Sequence, residues 1–90
     1  MDITIDACEF NSIEEFHELI KEKLGFSEDY NDTMECLWDH LVHRCKHKVC
    51  LYWVDYDTSE TILGEDARIL LELFQEADDE LDYFHFEIQV

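Results

Sequence analysis

A chain of 90 residues with 24 acidic and 6 basic side chains, and a formal net charge of -18, is small and strongly acidic, yet 47% of it is hydrophobic. Its aromatic content of 13% is too high for a disordered acidic tail, and its length suits a single domain over residues 1–90, with one compact core and no deep second-layer cavity. Such a surface repels phosphate backbones and anionic headgroups, which argues against direct binding to nucleic acid or membrane and for a basic protein partner.

The start, MDITIDACEF, has neither a basic nor an apolar leader segment, and no apolar run approaches the roughly 18 residues of a membrane span. The expectation is a cytoplasmic protein, monomeric when free. Its cysteines Cys8, Cys36, Cys45 and Cys50 would then be reduced thiols, some of them small core residues.

Residues Asp2 to Asp6 alternate around Ile3 and Ile5, a short strand. Ser12 followed by Glu15 fits a capping box, and Ile13, Phe16, Leu19, Ile20 and Leu24 then repeat at helical spacing up to Gly25, which is placed to end the helix in a left-handed conformation. A polar loop from Ser27 to Asp32 leads to a second helix starting near Asp32 or Thr33. Its stripe is Met34, Leu37, Trp38 and Leu41, and Arg44, Lys46 and Lys48 lie at or past its end. The run from Val49 to Tyr56 is nearly continuous in apolar and aromatic residues, which predicts a central strand covered on both faces. A short helix over Thr58 to Leu63 and a longer one after Gly64 follow, the latter burying Ala67, Leu70, Leu71, Phe74, Ala77 and Leu81. Tyr83 to Val90 reads as a last strand with Phe84, Phe86, Ile88 and Val90 on one side. The fold class is α/β: helical crossovers join strands that run the same way, so this order implies a small three-stranded parallel sheet with three to four packed helices.

Between Glu28 and Asp39 the sequence EDYNDTMECLWD carries acids at Glu28, Asp29, Asp32, Glu35 and Asp39. Glu35 and Asp39, four apart, share one helix face, while Met34, Leu37 and Leu41 turn toward the core. The repulsion costs a helix a few tenths of a kcal/mol, and either a solvated acidic face or a binding surface would carry it. Trp38 lies between core stripe and acidic face. It can cap the core edge or, amid carboxylates, act as an aromatic anchor for a partner, with Tyr30 extending the patch. Glu76 gains meaning only if its helix lies beside the acidic one.

These segments carry a resemblance. The chain resembles the barstar family over essentially its whole length, through the strand–helix start, EDYNDTMECLWDHL, the aromatic strand LYWVDY and the FQEA stretch. The most specific piece is Tyr30, Glu35 in place of an aspartate, and Leu37-Trp38-Asp39. The resemblance implies an inhibitor that inserts this helix and the preceding loop into a cationic nuclease site, with Asp39 at a substrate phosphate position. It also implies partner contacts from Glu35, Trp38 and Glu76. Asp29, Asn31 and Thr33 replace a tyrosine, a glycine and an asparagine of the family pattern, which leaves the target open. Asn31 can adopt a left-handed backbone and Thr33 can cap a helix. The partner-binding set is then Asp29, Tyr30, Asn31, Thr33, Met34, Glu35, Trp38, Asp39 and Glu76. The expected partner is a basic nuclease toxin, secreted or delivered by contact, held one to one. An RNase is preferred, and the chain would serve as immunity protein or antitoxin.

The alternatives belong to other classes. A zinc site from His40, His43, Cys45, His47 and Cys50 lacks paired short spacings, and Cys50 is expected in the sheet core, so no metal or other cofactor is assigned. An enzyme is not expected either: Glu35 and Asp39 share one convex face, and no nucleophile motif or glycine-rich loop is present. An acidic adaptor that binds a basic protein without inhibiting it would show the same patterning.

Overall fold

Three strands alternate with helices in the computed structural model, which describes residues 2–26, 30–31, 33–44 and 48–89. Strand β1 spans Asp2–Asp6, helix α1 Ile13–Leu24, α2 Met34–Asp39, β2 Val49–Val54, α3 Tyr56–Leu63, α4 Glu65–Glu80 and β3 Phe84–Gln89. A 3-10 turn, Ala7–Glu9, follows β1, and a π-helical turn, His40–Arg44, continues α2. The sheet has the order β1-β2-β3 and both pairings are parallel, with Ile3 beside Leu51, Ile5 beside Trp53, and Leu51 beside Phe86. This is the α/β architecture expected from the element order.

With strands in sequential order, two right-handed crossovers fall on the same side of the sheet. That face is closed: Ile3, Ile5, Val49, Leu51, Trp53, Phe84 and Phe86 form one core with Phe16 and Ile20 of α1, Leu37 of α2, Leu41 of the π-turn, and Leu70 and Phe74 of α4. Aromatic rings tie the layers, with Phe16 and Trp53 at 5.4 Å and Phe74 and Phe86 at 5.3 Å between centroids. The other face is open. Burial along β2 alternates between buried and half-buried, so the expectation of a strand covered on both sides is corrected. Cys50, Tyr52 and Val54 are half-buried on that open side. Cys50 is therefore not a core residue, and Cys8, Cys36 and Cys50, all free thiols, are exposed or only half-buried. The strand also stops at Val54. Asp55 takes a left-handed φ of 60° and Tyr56 begins α3, whose Ser59 accepts a hydrogen bond from the buried Trp53 indole at 2.8 Å.

Helix ends follow local chemistry. Ser12 Oγ accepts from the Glu15 amide at 3.2 Å, but the Glu15 carboxylate reaches back to the Asn11 amide (2.9 Å) rather than to that of Ser12. A complete capping box lies instead at Asp6 and Glu9, where it starts the 3-10 turn. Gly25 ends α1 at φ 69°, and the Phe26 amide closes onto the Lys21 carbonyl at 3.0 Å. Ile88 is 37% exposed, off the core that Phe84 and Phe86 complete.

Candidate functional site

Thr33 begins α2, as expected. Its Oγ1 accepts from the Cys36 amide at 3.1 Å and donates to Asn31 Oδ1 at 2.6 Å, while the Asn31 amide donates to Cys36 Sγ at 3.3 Å. Asn31 and Thr33 thus form a cap that fixes where Glu35 stands. Asn31 has no left-handed backbone; among described non-glycine residues only Asp55 has a positive φ. Tyr30 corrects a second expectation. It is 5% exposed, its hydroxyl bonds His17 Nδ1, and its ring packs on Phe26 and His40. It belongs to the hydrophobic core, not to an exposed patch. Asp29 lies outside the described residues.

The α2 surface is not simply convex. Met34, Glu35 and Trp38 face Ile69, Glu72, Leu73 and Glu76 of α4 across a shallow groove of about 490 Å3. Glu76 does lie beside the acidic helix, the arrangement on which its importance depended. The groove has an apolar floor and rim from Met34, Trp38, Ile69 and Leu73, and carboxylates on both walls. Asp39 stands exposed one turn beyond Glu35, with His43 Nε2 at 3.7 Å, a solvent-screened pair worth little.

Ile69, Glu72 and Leu73 were missed by the sequence reading. Their signal was present: residues 69, 72, 73 and 76 fall at i, i+3, i+4 and i+7, a second stripe beside the core stripe of α4. Ile69 is 44% exposed, unusual for an isoleucine at mid-helix.

This surface can bind cations and cover apolar contacts. On α2, Cys36 Sγ lies 3.4 Å from His40 Nδ1, a nitrogen that is also 2.9 Å from the Cys36 carbonyl, while the Asn31 amide donates to the sulfur. Cys8, the exposed thiol, has its pKa raised by its hydrogen bond and proximity to Asp6, which keeps it protonated and poorly reactive. Among the described residues no group of three His, Cys, Asp or Glu side chains could hold a metal. Of the zinc candidates, His40 is buried with Nδ1 2.9 Å from the Cys36 carbonyl, and His43 neighbours Asp39. Cys50 is across the sheet on its open face, and Cys45 and His47 lie outside the described residues.

The chain matches the family model described as Barstar (barnase inhibitor) over residues 1–90. The chain belongs to the barstar family. It is 37% identical over 79 residues to a Bacillus subtilis (strain 168) protein named "Putative ribonuclease inhibitor YrdF", which covers 88% of this chain and 87% of the relative. Family membership points to a nuclease inhibitor rather than an enzyme, and to a ribonuclease as partner, at the level of the family.

Proposed function

We propose that this protein blocks a basic nuclease by laying α2, its capping loop and the facing wall of α4 over the enzyme's active site. The observation that carries this reading is the groove itself: carboxylates of Glu35, Glu72 and Glu76 around an apolar floor that includes Trp38, with Asp39 exposed one helical turn beyond Glu35. A nuclease must hold phosphates with cationic side chains. Carboxylates set where phosphates bind regain the charged hydrogen bonds those cations make to substrate, and the apolar floor excludes water around them. The acidic field also speeds encounter, toward 10⁸ M⁻¹s⁻¹ or more at low salt. The chain would act as immunity protein or antitoxin in the cytoplasm of the cell that makes the toxin or its sibling.

The test is an inhibition titration of the purified protein against basic microbial ribonucleases and deoxyribonucleases, with association rates measured at low and high salt. The reading expects loss of nuclease activity at one equivalent for at least one enzyme. Association should slow steeply as the screening length shrinks toward 8–10 Å, while dissociation changes less. Stoichiometric binding without loss of activity would mark an adaptor instead.

A further inference from the structure

We propose that Tyr83 is a positioning residue for this site, holding the C-terminal end of α2 so that Asp39 keeps its place one turn beyond Glu35; the proposal rests on the inhibitor reading above. Helix α2 has no glycine cap. Beyond Asp39 it widens into the π-turn. Two carbonyls of that turn, Leu41 O and Val42 O, accept from the Tyr83 hydroxyl at 2.9 and 2.8 Å, from 42 and 41 residues away in sequence. The hydroxyl has one proton, so the two carbonyls share it.

Tyr83 is also fixed through its backbone. Its carbonyl accepts from the amide of Val49, the first residue of β2, at 2.7 Å. It stands two residues past Leu81, the cap of α4, and immediately before β3. One residue therefore closes both ends of the α2–β2 connection and sits at the foot of the helix that carries Glu76. The direction of α2 relative to α4 sets the width of the groove, and Asp39 precedes the first clamped carbonyl by two positions. Removing only the hydroxyl leaves the ring, the strand pairing and the α4 cap in place.

The experiment is Tyr83→Phe, read first by residue-resolved amide hydrogen exchange on the free protein. Exchange across residues 40–44 should accelerate about three- to tenfold, as expected for loss of one hydrogen bond, while Leu51 and Trp53 in β2 change less than twofold. A merely structural role would accelerate both regions alike, and that result, or no change at 40–44, overturns the proposal. The second readout is the Kd for barnase, titrated up to millimolar concentrations so that the weakened Asp39→Ala background is also covered. It should rise about three- to tenfold in Tyr83→Phe, and less than twofold when the same change is made in Asp39→Ala, because the hydroxyl acts through Asp39. Equal factors in the two backgrounds also overturn it. Local exchange loosening in a chain that inhibits no nuclease would uphold the clamp and refute the inhibitor reading.

Discussion

Helices α1 and α2 obey opposite rules. Helix α1 is built for its own stability: Ser12 caps it, Glu14 and Glu15 sit at its positive end, Lys21 and Lys23 at its negative end, and Gly25 closes it. Lys23 reaches across to Glu9 at 3.2 Å. Helix α2 starts as well, on Thr33, but sets Glu35 and Asp39 four apart on one face, where like charges repel, and runs into a π-turn held by a distant tyrosine. Helix α4 also ends on carboxylates, at Asp78, Asp79 and Glu80, with Asp78 close to His85. Carboxylates on a helix alone therefore distinguish nothing in so acidic a chain. What sets α2 apart is the combination of an unfavourable carboxylate with an apolar groove beside it. Charge that costs the helix stability and faces an open apolar floor is what a partner surface requires and a free domain does not.

The comparison can be broken by exchanging effects between the two helices. Asp39→Ala should give the largest change: a loss of about 2–5 kcal/mol in nuclease affinity, as when one partner of a desolvated charge pair is removed. Thermal stability should stay within about 0.5 kcal/mol of the parent, or rise slightly as the repulsion with Glu35 disappears. A Tm that falls while affinity holds would make Asp39 a structural residue and end the contrast.

A second change sharpens which nuclease α2 addresses. The chain should inhibit barnase only weakly, because Asp29 puts a charge where the family pattern has a tyrosine, and a carboxylate without a cationic partner is costly to desolvate. Asp29→Tyr with Asn31→Gly should strengthen inhibition about tenfold, roughly 1.4 kcal/mol. It should also lose some stability, since Asn31 Oδ1 holds the capping Thr33. Nanomolar inhibition by the parent chain, or no gain from the pair, would move specificity elsewhere, with the Ile69 and Glu72 rim of α4 the first place to look.

The smallest effect belongs to α1. Ser12→Ala should cost about 1 kcal/mol of stability, seen as a Tm lower by roughly 4–8 °C, with nuclease affinity unchanged. A matching loss of affinity would mean that α1 is coupled to the site and the division of labour is false.

Much of this was legible because short-range rules decide it. The three strands, the Ser12 and Thr33 caps and the Gly25 stop follow from residues within four positions of one another. So did the acidic stripe, since Glu35 and Asp39 are one turn apart. What escaped depends on partners distant in sequence. Tyr30 sits among carboxylates in the sequence and looks exposed, yet His17, thirteen residues earlier, draws its hydroxyl inside. The continuous apolar run of β2 suggested two covered faces, but sequential strand order puts the helices on one side only. Met34 and Trp38 line one groove with Ile69 and Leu73 because α4 packs beside α2, which no periodicity within either helix reveals.

The central claim is occlusion of an active site, and competition tests it most directly. A nuclease inhibited by this chain should be titrated with the protein in the presence of a saturating, uncleavable substrate analogue. Mutually exclusive binding is predicted: the apparent Kd of the protein should rise in proportion to analogue concentration, and the analogue should be released as the complex forms. A ternary complex of nuclease, analogue and protein, with each ligand's affinity unaffected by the other, would contradict the account.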